Sequence, residues 1–257
     1  MRFTGPELDK YFSSAILNGF DTTAFPPTVQ ILLNGLIKLG AIAAPRVFKL
    51  AMNFVWEKEV GFTPQALIDE MDGIAEGMCS TLGSNCNVDE WKKTIHELNM
   101  LPELIRMACT AYGAWGQSTA EAHVIQLRAL DFGGGPFANF TILTTHRGDP
   151  ANPNNAFVSV SFPAFVGVIT GVSQGGIGVS EKVWMVQGLD GLLPGSFNGE
   201  ADIFVLRDIL EYSHTRQEAE TYMQAANKTW AIWVGVGSLR RWRCWSRLVH
   251  PRCRRGI

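Results

Sequence analysis

The stretch that decides the fold is "ACTAYGAWGQSTAEAHVIQLRALDF", residues 108–132. Cys109 precedes a run of small residues, and a turn-like piece then leads into a segment with the composition of a strand. That second segment ends in Arg128-x-x-Asp131. The order predicts two successive strands, with a thiol at the start of the first and a guanidinium and a carboxylate at the end of the second.

A thiol at Cys109 is a useful nucleophile only as a thiolate, so it needs a base or a positive neighbour. No histidine near Cys109 in the sequence is placed where it would indicate a catalytic base. Cleavage of the bond between Ala108 and Cys109 would supply a base, because the new α-amino group has a pKa of about 7.7–8.0. Arg128 and Asp131 could pair with each other and orient the amine and the substrate. The residues leave an equal alternative, a buried thiol beside an ordinary surface ion pair.

Residues 108–132 resemble the segment around the nucleophile in cysteine N-terminal-nucleophile hydrolases. The most similar type is the isopenicillin-N acyltransferase family (acyl-coenzyme A:6-aminopenicillanic acid acyltransferase), which has a cysteine, a two-stranded turn and then Arg-Asn-x-Asp. Here Cys109, Arg128 and Asp131 occupy those positions, and Ala129 replaces the asparagine.

Two further segments are similar to parts of the same family. "LIDEMDGIAEGM", residues 67–78, resembles a helix of the propeptide region. "PAFVGVITGVSQGGIGVSEK", residues 163–182, resembles the Gly-x-Asn-Glu-x-Gly-x-x-x-Ser hairpin, with Ser173 at the asparagine position. Near the end of that hairpin, where relatives supply an oxyanion asparagine, this chain has Glu181.

The resemblance implies an αββα sandwich made by autocatalytic cleavage before Cys109. It implies hydrolysis or transfer of an amide-linked acyl group through a Cys109 thioester, with Arg128 and Asp131 as catalytic partners. Ser173 and Glu181 would bind the substrate or the oxyanion. The substrate would be a small-molecule amide or acyl thioester, and no cofactor is implied. Because the family adds strands where this chain has an arginine-rich tail, we expect the sandwich to be incomplete.

The order of predicted elements indicates an α+β fold rather than alternating βαβ units. Residues 1–108 form a mainly helical, propeptide-like segment, residues 109–238 the nucleophile core, and residues 239–257 a basic tail that we expect to be disordered. Thr63 and Asn87 are expected to cap helices, and Thr215-x-x-Glu218 is a capping box. Five strands are predicted after the first, at 122–132, 139–147, 156–162, 165–170 and 176–186, and a further one at 229–237.

The charge distribution argues against a nucleic-acid partner for the main body. The net charge is −2, but seven arginines and no acid follow residue 238, so the first 238 residues carry about −9. A basic tail rich in tryptophan could bind nucleic acid or anionic lipid, and disorder or an altered reading frame explains it as well. Residues 28–56 are apolar, but charged residues and Pro45 interrupt them, so no membrane span is predicted. The oligomeric state is not predicted.

Four residues bear on the compartment. Cys79 and Cys86 could close a disulfide ring or remain two free thiols. Asn139 and Asn227 lie in glycosylation sequons. Because residues 1–11 contain no apolar signal core, the protein is either cytoplasmic or a secreted or lysosome-like protein whose signal peptide is missing here.

Two other function classes compete with the amidase. Ser173 lies in a G-x-S-x-G pattern, with Asp202 or Asp208 and His214 or His250 as triad candidates, although a β-rich segment follows where a nucleophile elbow needs a helix. The second competitor is a catalytically inactive fragment or binding module that keeps part of the fold. The histidines form no metal-ligand pattern, so no metal site is predicted.

Overall fold

The computed structural model describes residues 31, 34, 49–84, 86–105, 109–130, 140–148, 155–183, 197–229 and 232–238, and the backbone of 241–246. The chain divides into two units, residues 1–54 and 55–257. In the first unit, the described residues are helical. Within these ranges, no helix has the length and apolar character needed to cross a membrane. All features below lie in the second unit.

The helical part of the second unit precedes the strands. After helical residues 55–59 come helices α1 (Gln65–Leu82), α2 (Val88–Asn99) and α3 (Leu101–Ile105). The predicted cap of α2 is confirmed, since the Asn87 side chain accepts a hydrogen bond from Glu90 N. The predicted cap of α1 is wrong: the Thr63 hydroxyl donates to the Glu59 carbonyl of the preceding turn, and Pro64 occupies the cap position.

The strands form two antiparallel sheets. Strands β1 (Cys109–Gly116) and β2 (Ala122–Leu130) make a two-stranded ribbon. The second sheet has six strands in chain order, namely β3 (Ile142–His146), β4 (Phe157–Ser161), β5 (Thr170–Ser173), β6 (Gly178–Val183), β7 (Ile232–Ser238) and β8 (Arg241–Ser246). Helices α4 (Asp202–Tyr212) and α5 (Arg216–Ala225) lie between β6 and β7 in the chain, and the capping box at Thr215 is present. The predicted α+β class is therefore confirmed.

The ribbon and the helices α4 and α5 lie on opposite faces of the six-stranded sheet. On β4, Phe157 packs into the core with Leu206 and Ile209 of α4. The alternate residues Val158 and Val160 line a cavity beneath β2. Because successive side chains of a strand point to opposite faces, the layers are ribbon, sheet and helices. On the outer side of the ribbon, the side chains of Tyr112, Ile125 and Leu127 are more than half exposed among the described residues, so three layers are described here of a sandwich that was expected to be incomplete.

The predicted strand at 165–170 is mostly wrong, because β5 begins only at Thr170. Val168 N donates to the Ile203 carbonyl of α4 instead of to a neighbouring strand. A Cβ on Gly167 would lie 2.5 Å from the Ile203 side chain, so the glycine permits this close approach. The apolar run at 165–169 therefore packs against a helix, and its hydrophobicity reflects burial rather than strand pairing.

The expectation of a disordered tail is wrong for residues 241–246. They form β8, which pairs with β7 from Trp233↔Ser246 to Ser238↔Arg241. The arginines of "RWRCWS" alternate with apolar residues over the first four positions, which suits a strand with one polar face. The high arginine content concealed this alternation. The rest of the predicted tail lies outside the described residues.

Candidate active site

The register of the ribbon brings the predicted nucleophile and the predicted arginine to one face. Cys109 is the first residue of β1 and lies opposite Leu130, while Arg128 lies opposite Ala111. Residues directly opposite each other share a face, and so do residues two apart on a strand. Cys109 and Arg128 are therefore diagonal neighbours.

Three side chains meet at this end of the ribbon. Arg128 Nη2 donates to Cys109 Sγ at 2.8 Å and to Glu181 Oε1 at 2.6 Å. The Cys109 thiol donates to Glu181 Oε1 at 3.4 Å, and Arg128 Nε donates to the Glu181 carbonyl at 3.3 Å. Only 7% of the Arg128 side chain and 4% of the Glu181 side chain are exposed. A thiol, a guanidinium and a carboxylate thus form one buried cluster, the thiol cluster.

Strand β6 places Glu181 at the site by extending past β5. Thr170, the first residue of β5, pairs with Ser180, so Glu181 lies beyond that pairing. Glu181 N donates instead to the Ile169 carbonyl at 3.1 Å, and on its other side Glu181 pairs with Val234 of β7. The backbone of Glu181 is therefore fixed on both sides.

Burial sets the protonation of the thiol cluster. Burial raises the pKa of the Cys109 thiol to about 12, the charge of Glu181 acts in the same direction, and Arg128 opposes both. Burial also raises the pKa of Glu181, while Arg128 lowers it. In the uncleaved chain the thiol is therefore protonated near neutral pH and hydrogen-bonded to a carboxylate that can accept its proton. This pairing suits a nucleophile that reacts by proton transfer at the moment of attack.

Glu181 lies at the site, but its contacts do not test the substrate-binding or oxyanion role that the sequence predicts for it. The structure makes its carboxylate an acceptor from both the thiol and the guanidinium. An oxyanion needs donors, so an oxyanion role for Glu181 requires its protonated form. A substrate-binding or oxyanion role for it stays a prediction.

A cavity of about 1010 Å³ lies between β2 and the sheet and is lined at one end by Arg128. Its walls include the side chains of Leu143, Val160 and Val172, which are 70%, 46% and 50% exposed. This is the upper end of the size range of small-molecule sites. The cavity can hold an apolar group next to the thiol cluster.

Strand alternation in β2 places a second polar residue in this cavity. Gln126 lies two residues before Arg128 and lines the same cavity. Its Nε2 donates to Ser180 Oγ at 2.6 Å and to the Gly235 carbonyl at 3.0 Å. Sequence reasoning missed Gln126, although the alternation through Val124, Gln126 and Arg128 could have indicated a shared face.

A second buried polar cluster, the carboxyl cluster of Glu59, Glu103 and Asp202, was also missed. Glu103 accepts hydrogen bonds from Asp202 N at 3.1 Å and from Thr229 Oγ1 at 2.8 Å. The carboxyl groups of Glu59 and Asp202 both interact with that of Glu103. Burial, together with the smaller effects of the Glu103 and Asp202 charges, raises the pKa of Glu59 to about 11. Burial, Glu103 and Glu181 raise the pKa of Asp202, so the carboxyl cluster is electrostatically linked to the thiol cluster.

The other predicted residues divide into those described and those outside the described ranges. Ala108, Asp131, Asn139 and His250 lie outside. Asn227 is exposed, and Cys79 and Cys86 are joined in a disulfide with a Cα–Cα distance of 5.3 Å. Within the described part of the chain, no group of three histidine, cysteine or acidic side chains is arranged to hold a metal ion.

Ser173 does not occupy a nucleophile elbow. It ends β5, a tight turn follows, and the next element is strand β6 rather than a helix. Its hydroxyl accepts a hydrogen bond from Ile177 N inside that turn, and its side chain is buried. His214 lies against the same turn, but Asp208 accepts the Tyr222 hydroxyl and Asp202 belongs to the carboxyl cluster. The serine-hydrolase alternative therefore lacks the strand–turn–helix geometry that it requires.

Comparison with known proteins finds relatives of greater length. Protein dcd1B of Dictyostelium discoideum is 31% identical over 230 residues, which cover 88% of this chain and 41% of dcd1B. Protein dcd1A of the same organism is 32% identical over 196 residues, covering 74% of this chain and 41% of dcd1A. An uncharacterized protein of Archaeoglobus fulgidus is 24% identical over 253 residues, covering 91% of this chain and 37% of its own length. The chain spans about two fifths of the length of these relatives.

A partial structural likeness was found to an N-acylethanolamine-hydrolyzing acid amidase ortholog of Caenorhabditis elegans. The TM-score is 0.46 at 20% identity, over 55% of this chain and 60% of the amidase. No family model matches the sequence. The chain is homologous to the dcd1 proteins over most of its own length.

Proposed function

We propose that this chain is a self-processing cysteine amidohydrolase or acyltransferase of the N-terminal-nucleophile type, related to the isopenicillin-N acyltransferase family. The observation that carries the proposal is the contact of the Cys109 thiol, at the first residue of β1, with both Arg128 and Glu181. A cation stabilises negative charge on sulfur, and a carboxylate accepts the thiol proton. Both requirements of a cysteine nucleophile are therefore met at one atom.

Self-cleavage would begin with attack of Cys109 Sγ on the carbonyl carbon of Ala108. The thiol proton passes to Glu181, and the guanidinium of Arg128 stabilises the developing charge on sulfur. When the C–N bond breaks, the proton moves from Glu181 to the departing nitrogen, which becomes the α-amine of Cys109. Water then hydrolyses the Ala108 thioester, leaving a carboxylate at residue 108 and a free thiol at residue 109.

The new α-amine would serve as the base in later turnovers, because its pKa of about 7.7–8.0 leaves a neutral fraction near pH 7. Cys109 Sγ attacks the carbonyl carbon of an amide substrate, and the amine takes the thiol proton. The amine then returns this proton to the leaving nitrogen, and an acyl thioester remains on sulfur. Water completes hydrolysis, whereas an acceptor amine completes acyl transfer.

The cavity beside Arg128 favours an apolar acyl group as the part of the substrate that it holds. Val160 and Val172 are apolar and roughly half exposed in its wall. Each methylene buried there contributes about 0.8 kcal/mol. The amide carbon would lie at the Arg128 end and the acyl chain would extend along the sheet.

The intact masses of the parent chain and of Cys109→Ala test the self-cleavage. The parent is expected to give two fragments, residues 1–108 and 109–257, and the variant a single chain. Cys79 and Cys86 both lie in the smaller fragment, so their disulfide does not join the two. Ile125→Thr, on the exposed face of β2, serves as the control and is expected to cleave like the parent. A single chain in the parent, or cleavage that persists in Cys109→Ala, would contradict the proposal.

The acyl preference is tested with coumarin amides of decanoic and acetic acid. We expect kcat/KM to be at least about 10-fold higher for the decanoyl amide, because each methylene buried in the cavity adds binding energy. Val160→Glu should lower the rate for the decanoyl amide and leave that for the acetyl amide nearly unchanged. Equal rates for the two amides in the parent would refute the apolar acyl group without affecting the self-cleavage.

A further inference from the structure

Two neighbouring sets of polar contacts, each called a rung below, join the ribbon to the sheet. One of them contains no residue of the thiol cluster. The first rung is Arg128 with Glu181. The second is Gln126 with Ser180 and the Gly235 carbonyl. Gln126 and Arg128 are two apart on β2, and Ser180 and Glu181 are adjacent on β6. The second rung therefore lies directly beside the site.

The Gln126 carboxamide ties β2 to two strands of the sheet at once. Ser180 and Gly235 are cross-strand partners on β6 and β7, and Gln126 Nε2 donates one hydrogen to each. Both hydrogens of its amide nitrogen are thus used. A side chain bonded to two partners of a fixed pair has little freedom to slide along the sheet.

The sheet is shaped to receive this carboxamide. A Cβ on Gly178 would lie 3.0 Å from Gln126 Oε1, which is tighter than an ordinary contact. Gly113 lies opposite Gln126 on the neighbouring strand of the ribbon. Ser180 is fully buried, so bulk water does not reach its hydroxyl. Gln126 donates a hydrogen bond to that hydroxyl instead.

We propose that Gln126 is a positioning residue. It fixes the distance of β2 from the sheet and the position of β2 along the sheet, so that Arg128 contacts both Cys109 and Glu181. This role rests on the proposed function. A displacement of about 1 Å at a reacting group can lower a rate by about 10²-fold. Gln126 thereby acts on the reaction through Arg128 without touching the thiol.

The test compares Gln126→Leu, Gln126→Glu and the parent for the rate of self-cleavage before Cys109. Gln126→Leu has a similar size and no donor, and it should cleave at least about 10-fold more slowly at every pH. In Gln126→Glu a protonated carboxyl can donate to the Gly235 carbonyl, whereas a carboxylate would repel it. That variant should approach the parent rate at acidic pH and fall to the Gln126→Leu rate as pH rises. Ile125→Thr, on the exposed face of β2, is the matched control and should cleave like the parent.

Each outcome decides between the two proposals. If the parent cleaves and both Gln126 variants keep its rate and pH profile, the positioning role is overturned and the amidase proposal stands. If the parent does not cleave, the amidase proposal fails, and a double-mutant cycle of Gln126→Leu and Arg128→Met on the unfolding free energy decides the positioning role. A loss in the double variant smaller than the two single losses together supports coupling of Gln126 to Arg128, and additive losses overturn it.

Discussion

The thiol cluster and the carboxyl cluster both hold buried acids but differ in what faces those acids. In the thiol cluster a guanidinium lies against Glu181, within 2.6 Å. In the carboxyl cluster the acids face one another, and the Asp202 amide and the Thr229 hydroxyl, both neutral, donate to Glu103. A buried carboxyl group beside a cation can ionise, whereas one beside other carboxyl groups retains its proton.

Under the proposed function, this difference separates a site that reacts from one that stabilises the fold. The guanidinium lowers the pKa of both Glu181 and the Cys109 thiol, against the effect of burial. For Glu59, in contrast, burial raises the pKa, and both of its acidic neighbours raise it further. The thiol cluster is therefore suited to exchange a proton, and the carboxyl cluster to hold one.

Removing the cation should have the largest effect. Arg128→Met leaves Glu181 buried without its ion-pair partner, so the free energy of unfolding should fall by about 3–5 kcal/mol. Self-cleavage should be lost as well. Urea unfolding measures the first effect, and Lys92→Met is the control, since it removes a cation whose ion pairs with Glu76 and Asp72 lie at the surface and stabilise a fold much less than a buried pair does.

The double variant Arg128→Met with Glu181→Met sharpens this prediction. Replacing both charges by apolar groups removes the unpaired charge, so most of the stability should return. Activity should not return, because the cation and the proton acceptor are both absent. A double variant as unstable as Arg128→Met would show that packing, rather than the unpaired carboxylate, causes the loss.

Glu59→Gln should change how stability depends on pH. The folded pKa of Glu59 is about 11, above its ordinary value of 4.5, so its contribution is fully present below pH 4.5 and is lost as pH rises toward 11. One such proton changes the unfolding free energy by up to about 1.4 kcal/mol per pH unit. Glutamine stays neutral throughout, so the variant should lose less stability than the parent between pH 5 and 8.

Urea unfolding at several pH values measures the slope for Glu59→Gln. Glu121→Gln, at a side chain that is 79% exposed, is the control and should follow the parent. A parent slope that matches the Glu59→Gln slope would mean that the pKa of Glu59 is not raised in the folded protein.

Thr229→Val should have the smallest effect. It removes one neutral donor to Glu103, at 2.8 Å, and leaves a buried acceptor oxygen with one bond fewer. The unfolding free energy should fall by about 1–3 kcal/mol. Thr221→Val, which removes an exposed bond within α5, should change it by less than about 0.5 kcal/mol. Equal effects of the two variants would argue against a tightly held carboxyl cluster.

Local patterns predicted the two strands of the ribbon, with Cys109 at the start of the first and Arg128 near the end of the second. The small-residue run after Cys109 and the strand-like composition of the next segment are properties of neighbouring residues, whereas the register came from the structure. The capping box at Thr215 and the cap at Asn87 were predictable for the same reason. Each of these features depends on contacts within one strand pair or one helical turn.

Features that depend on distant contacts could not be predicted. Glu59 and Glu103 lie on helical segments, where glutamate usually faces water. They form a buried cluster only in the folded protein, where Asp202, 99 residues after Glu103, lies against Glu103. The contact of Glu181 with Cys109 spans 72 residues. The strand expected at 165–170 failed for a similar reason, because the partner that buries this segment is α4.

The most direct test of the account is a mass measurement on the acid-quenched reaction with a decanoyl amide. Peptide mapping should find a decanoyl group on Cys109 in a peptide whose first residue is Cys109. That result would show cleavage before Cys109 and acylation of the same residue in one species. A decanoyl group on another residue, or a Cys109 that remains joined to Ala108 and unmodified while the amide is consumed, would contradict the account.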